Sequence, residues 1–225
     1  MTLQIRPYLA GSAAETSQVD ALLAQAFADE GKVARLVAAL RNSADALAGL
    51  ELVAVEADSP DAASPAESAE SAESAESVEP VESRGPGERV VGHVMVSRGL
   101  LDARRELVDV HVLAPLAVLP QRHGQGIGAA LVQAAVQASR AAGAPAVFLE
   151  GDPGYYARHG FVGAEPLGFR RPSLWTPAPA FQVSLGAGHE EWMTGTLIYS
   201  RVFWDHDSVG LRDPDLAQIE AALGG

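Results

Sequence analysis

Three features of the chain point to a single mixed α/β domain. Runs with helical periodicity alternate with β-branched runs, 225 residues suffice for one full core, and 48% of them are hydrophobic. A short strand at 4–6 leads into a helix whose apolar residues Val19, Leu22, Leu23, Ala26 and Phe27 recur at i, i+3 and i+4, with Ser17 or Asp20 as its cap. A second helix follows around Val33, Leu36, Val37 and Leu40. The β-rich runs at 50–56 and 89–97 read as a hairpin with an elongated turn. Residues 106–118 alternate early (Leu107, Val108, Val110, Val112) and then turn continuously apolar; Pro115 cannot donate to a ladder, which predicts a bulge there. A glycine-rich turn precedes an alanine-rich helix at 126–142, closed by Gly143 and Pro145. A buried strand at 146–149, a short helix at 155–159 and strands at 181–185 and 195–199 complete the core, and Asp213-Pro214 opens a C-terminal helix at 213–223. The order is strand, two helices, three strands, helix, strand, helix, two strands.

Residues 57–88 are of another kind. Ser-Ala-Glu repeats there with period three, which fits neither a helix face nor a strand face, and the segment carries nine acids against Arg84 alone. It reads as a solvated, disordered acidic insertion within one domain spanning 1–225, with an acidic interaction segment as the alternative. Removing its charge leaves −5 of the formal −13, which is unexceptional. No basic face exists to meet phosphates of a duplex, so nucleic acid is not an expected partner. The absence of cysteine excludes disulfides, a thiolate nucleophile and sulfur-based metal sites. No apolar run of membrane length and no signal peptide is visible, so no membrane is expected and a soluble cytoplasmic protein is. Lys32 is the only lysine beside fifteen arginines, a bias that fits a GC-rich genome. The histidines show no metal-ligand spacing.

The strongest chemical signal is Leu116-Ala117-Val118-Leu119-Pro120-Gln121-Arg122-His123-Gly124-Gln125-Gly126-Ile127-Gly128-Ala129. A strand ends, glycines alternate and a helix begins. Glycines let backbone approach a ligand closely, and the first amides of a helix, with its dipole, favour an anion. A pyrophosphate suits this arrangement, and Arg122 adds charge. Gly124-x-Gly126-x-x-Ala129 also matches a dinucleotide fingerprint, with Glu150 where a ribose-binding acid would stand. Against that, five residues separate the strand from the first glycine and more than a hundred precede the motif; no Gly-Lys-Ser/Thr follows for a P-loop. A glycine-rich turn without ligand is the third reading.

Residues 118–131 resemble motif A of the GCN5-related N-acetyltransferases (GNAT), which reads Arg/Gln-x-x-Gly-x-Gly/Ala after a strand. Gly151-Asp152-Pro153-Gly154-Tyr155-Tyr156-Ala157-Arg158-His159-Gly160-Phe161 is similar to the end of motif B, an aromatic-Tyr pair followed by x-x-x-Gly-Phe. The form Gly-Asp-Pro-x-Tyr-Tyr and the strand Gly195-Thr196-Leu197-Ile198-Tyr199 resemble the YhbS-like predicted acetyltransferases of that superfamily. The resemblance covers residues 4–56 and 89–200. With Gly126 and Gly128 on the motif glycines, His123 takes the Arg/Gln position; a shift by two would put Gln121 there. Asp152-Pro153 replaces the asparagine common after the fifth strand. The acidic insertion and the extension at 201–225 lie outside the family pattern.

The resemblance implies a central, mostly antiparallel mixed sheet splayed between the fourth and fifth strands, with helices on both faces. It implies acetyl-CoA as acyl donor, no metal, and transfer of an acetyl or other small acyl group to a primary amine by direct attack. On this basis Gly124, Gln125, Gly126, Ile127, Gly128 and Ala129, with His123, cradle the pyrophosphate, and Leu116, Ala117 and Val118 run beside pantetheine. Asp152 accepts a hydrogen bond from the pantetheine arm or a water. Tyr156 is the general acid for the departing thiolate, and Tyr155, its packing neighbour, is among the residues that border the cofactor. For the base, His111, Asp109 and Glu150 all fall where they could face the split. Residues 170–175 and Trp192 border the acceptor side. The alternatives are a CoA-binding module without turnover and, less favoured, a dinucleotide-binding enzyme. The acceptor and the choice between monomer and homodimer are not encoded in any motif.

Overall fold

The computed structural model describes residues 2–57 and 88–210. The insertion and the C-terminal helix expected at 213–223 fall outside these residues, apart from Ala57 and Glu88 at the insertion's edges. Strand β1 (Thr2–Pro7) is followed by α1 (Ala13–Phe27), α2 (Lys32–Arg41), β2 (Ala46–Ala57), β3 (Arg89–Ala103) and β4 (Leu107–Val118). Then come α3 (Ile127–Ala141), β5 (Ala146–Glu150), α4 (Pro153–Tyr156), β6 (Val162–Gly163), β7 (Phe169–Arg170), β8 (Phe181–Leu185), β9 (Gly195–Ile198) and α5 (Arg201–Asp205). The predicted order holds; the two-residue strands β6 and β7 and the short α5 add to it.

The first helix starts earlier than Ser17 or Asp20 would put it. Ser12 accepts from the Glu15 amide, and the fully buried Glu15 carboxylate takes the Leu9 amide and the Arg6 guanidinium. The spelling is that of a capping box, but the acid leaves the Ser12 amide to the Leu9 carbonyl and instead ties β1 to the helix. The hairpin across the insertion is confirmed: β2 and β3 pair antiparallel from Ala46↔Ser97 to Glu56↔Arg89. β3 continues to Ala103 because its second half finds β4 on one edge and β9 on the other.

The strands run β1-β2-β3-β4-β5-β8-β6, with β9 joining β3 and β7. Among the described strands only β4–β5 and β7–β9 are parallel. Helix α3 covers the face bearing Gly92, whose missing side chain leaves room for Ile127 and Leu131. α1 and α2 cover the other face, where Glu51 and Met95 share a cavity with Thr16, Ala38 and Arg41. Beyond β4, Phe148 packs edge-on against Phe169 at 5.0 Å and stacks on Phe181 at 5.7 Å. Such pairs add about 1 kcal/mol each beyond area burial and brace the β5–β8 half of the sheet.

Candidate active site

β4 and β5 pair through only two rungs, His111↔Val147 and Val112↔Phe148, and then separate. The split is prepared on β4 itself. Val94 pairs with Leu116 and Val96 with Leu113, so β4 carries one residue more than β3 at Ala114–Pro115, whose peptide bond is cis. The predicted bulge therefore lies at Pro115, and from Leu113 to Val118 the strand edge facing β5 has no β5 partner.

The chain leaves β4 through a single 3₁₀ turn, Pro120–Arg122, and the His123 Nε2 contacts the Val118 carbonyl at 3.0 Å. Gly124 (φ +75°) and Gly126 (φ +80°) adopt the left-handed conformation that side chains disfavour. Gly128 is needed for another reason: a Cβ there would stand 2.6 Å from the Tyr155 hydroxyl. The first backbone bond of α3 runs from the Ala130 amide to the Gly126 carbonyl. The amides from Gly124 to Ala129 thus have no backbone acceptor among the described residues, and they stand at the positive end of a 15-residue helix with no side-chain cap. Together with Leu116, Val118 and Tyr155 the loop bounds a cavity of about 360 Å³. The donor set fits a pyrophosphate: several amides, a helix dipole and glycines that allow close approach.

Of the residues predicted to hold the cofactor, Leu116, Val118, His123, Gly124, Gly126, Ile127, Gly128, Ala129 and Tyr155 line this cavity. Ala117 is buried and alternates to the opposite face. The Gln125 side chain turns back to the Gln121 carbonyl at 3.4 Å. Asp152 caps α4, accepting from the Gly154 amide at 2.8 Å. Arg122 reaches the cavity while held at 2.6 Å by Glu56 of β2.

The two tyrosines divide. Tyr155 lies in the cavity over Gly128, and burial raises its phenol pKa. Tyr156 lies over Gly151, where a Cβ would come 2.4 Å from its ring, and meets Tyr155 edge-on at 4.9 Å. Burial, followed by Tyr155 and Asp152, lifts the Tyr156 phenol far above its ordinary range, so it stays protonated.

The candidate bases are not brought together. By the β4–β5 register His111 shares a face with Val147, whereas Glu150 shares the other face with Val112 and Phe148. His111 lies on the α3 side, in a cavity of about 380 Å³ with Asp109, Arg98 and the turn after α3. Burial lowers its pKa, and Asp109 opposes this while itself held by Arg98 at 2.7 Å. Glu150 is raised by burial, which outweighs the neighbouring Tyr199, Thr176 and Gly210 amide. Tyr199 and Thr176 carry no spacing signal; they arrive from a strand end and a loop far along the chain. Of the proposed acceptor border, Leu174 is 90% exposed and Trp175 54%, while Trp192 stacks with Arg105.

A parallel strand pair thus splits beside a glycine loop that opens a helix. The acetyltransferase (GNAT) domain profile matches residues 81–163. The uncharacterized N-acetyltransferase YjhQ of Escherichia coli strain K12 is 37% identical over 73 residues; the match covers 32% of this chain and 40% of YjhQ. The crystal structure of the GNAT family N-acetyltransferase YhbS from Escherichia coli, in complex with CoA, superposes with a TM-score of 0.65 at 27% identity, covering 89% of this chain and 91% of that one. A GNAT family acetyltransferase from Brucella melitensis, in complex with acetyl-CoA, shares the fold with a TM-score of 0.60 at 23% identity over 90% of this chain and 98% of its own. The chain thus carries a segment similar to the GNAT acetyltransferase domain, within a fold it shares with YhbS.

Proposed function

We propose that the protein is a cytoplasmic acyl-CoA-dependent N-acyltransferase that moves an acetyl or other small acyl group from acetyl-CoA to a primary amine. The observation that carries this reading is the continuity of the free amides at 124–129 with the unpaired edge of β4. One end suits a pyrophosphate and the other an amide-bearing arm laid along a strand. YhbS and the Brucella protein, crystallised with CoA and acetyl-CoA, support it.

Acetyl-CoA supplies the activated acyl carbon. The chain's contribution is to align it and to manage two protons. An acceptor ammonium gives one proton to a base, and its nitrogen attacks the thioester carbonyl. The C–S bond breaks with its electron pair on sulfur; Tyr156 gives its phenolic proton to the thiolate and is restored by the second proton that leaves the nitrogen. Tyr156, held neutral by burial, donates a hydrogen bond to the sulfur as charge develops there. For the base, Glu150 is favoured over His111. The glycine loop and His111 both lie on the α3 face, which the donor occupies, while Glu150 is on the face left for the amine.

Thermal shift tests the donor. At 100 times its dissociation constant, acetyl-CoA should add about 2.7 kcal/mol, or roughly 5–10 °C for a chain of this size. NAD(H) should add nothing. Tyr156→Phe should cut kcat by about 100-fold with the acetyl-CoA shift retained. Binding with full activity in Tyr156→Phe removes the acid role, and absence of any CoA-dependent shift sinks the reading.

A further inference from the structure

Glu150 is enclosed by groups far away in sequence. Tyr199 is 5% exposed at the end of β9, and Thr176, in the loop before β8, is fully buried. Gly210 (φ +67°) follows α5 and lies so close to that loop that a Cβ would meet the Trp175 carbonyl carbon at 2.9 Å. The loop at 173–176 and the segment at 208–210 therefore close on one another beside the carboxyl. Glu150 Oε1 and Thr176 Oγ1 are both buried without a hydrogen-bond partner among the described residues. Orphaned buried polar atoms are rare, and two beside one another make a place for a bridging water or a donor on a substrate. The neighbours of the carboxyl are a phenol, a hydroxyl and an amide, and none of them is charged.

We propose that Tyr199 and Thr176 are positioning residues that hold Glu150 as proton acceptor for the incoming amine; this rests on the acyltransferase reading above. The N–H bond of the acceptor ammonium breaks. Its proton passes to Glu150 through a water between Oε1 and Thr176 Oγ1, and the nitrogen lone pair is released for attack. Tyr199 only donates, because its own burial beside the carboxyl keeps the phenol protonated.

Infrared titration of the full chain tests this without knowledge of the acceptor, with Glu150→Gln identifying the protonated-carboxyl band. The wild-type midpoint should lie above that of an ordinary carboxylate. Tyr199→Phe and Thr176→Val should each move it further up, since each removes a neutral polar group that favours the anion, Thr176 through the bridging water. With any amine that turns over, both variants should lower kcat/KM at neutral pH, move its acid limb up by the same amount and regain wild-type kcat at high pH. The KM for acetyl-CoA should not change. A midpoint that stays put in a folded variant overturns the proposal, and so does a loss of kcat uniform across pH. Thr176→Val preserves shape and decides the matter if Tyr199→Phe does not fold. A missing acetyl-CoA shift, by contrast, would count against the acyltransferase reading and leave these midpoints to be read for themselves.

Discussion

Glu51 on β2 and Glu150 on β5 are both withdrawn from water, and their surroundings drive them in opposite directions. Glu51 meets Arg41 at 2.6 Å and the fully buried His93 at 2.8 Å. Burial resists its charge, but the His93 and Arg41 hydrogen bonds together win, and its pKa falls. Glu150 has only neutral polar neighbours, burial wins, and its pKa rises. The first carboxylate is part of what holds α2 on the closed half of the sheet. The second is held against its own charge by burial, which suits the proton-acceptor role proposed for it. A buried carboxylate is stabilised when its partner is a full opposite charge, and is pushed toward its protonated form when its neighbours are only neutral.

The comparison breaks most visibly at Glu51. Glu51→Gln keeps the shape and strands the Arg41 guanidinium, which also sits 4.2 Å over the Tyr8 ring. Removing one partner of a buried pair costs about 3 kcal/mol or more, so Tm should fall by roughly 6–12 °C. Because the folded pKa of Glu51 is depressed, its contribution is present above the unfolded carboxylate range and is lost as pH falls through the folded value. The gap between wild type and variant should therefore narrow in acid. A pH-independent gap would mean that packing, and not charge, is what the variant removed.

Glu150→Gln should do the reverse. A raised folded pKa means that stability is lost as pH rises from the unfolded carboxylate range to the folded value, and stays lost above it. The neutral amide escapes this, so the variant should be more stable than wild type at neutral pH by about 1 kcal/mol, roughly 2–4 °C in Tm. The gain should vanish in acid, and the enzyme should be inactive or nearly so. Equal stability at pH 7 would show that Glu150 carries no burial penalty and would erase the contrast.

How much of this was legible beforehand follows from the range of each interaction. The helix around Val19–Phe27, the bulge at Pro115 and the glycine loop are local, and periodicity, a missing donor and φ > 0 announce them. The cap at Ser12 was equally local: Ser12-x-x-Glu15 is a capping-box spelling, hidden by the apolar run that begins at Val19. The Glu51–His93 pair depends on the β2–β3 register, set across the long insertion, and nothing in either strand alone specifies it. Tyr199 and Thr176 reach Glu150 only because β9 joins β3 and β7 and the loop at 173–176 folds back. The division of labour between Tyr155 and Tyr156 turns on one helical step, which fixes which ring lies over Gly128 and which over Gly151.

The smallest effect belongs to the link between the two halves. Glu56, near the end of β2, holds Arg122 of the glycine loop at 2.6 Å, with side chains 12% and 28% exposed. Two effects oppose each other there. The pair orders the loop, but it also places a carboxylate near amides meant for an anion. A partly exposed pair is worth up to about 1 kcal/mol, and so is a like charge removed from a binding site at low salt. Glu56→Gln should leave Tm nearly unchanged and tighten acetyl-CoA by no more than about fivefold, because the helix end and its amides hold their shape without Arg122. Salt separates the two effects: the gain should fade toward 1 M, where screening acts within about 3 Å. Weaker binding at every salt concentration would mean that β2 shapes the loop through this pair, and the two halves of the sheet would then be coupled rather than merely adjacent.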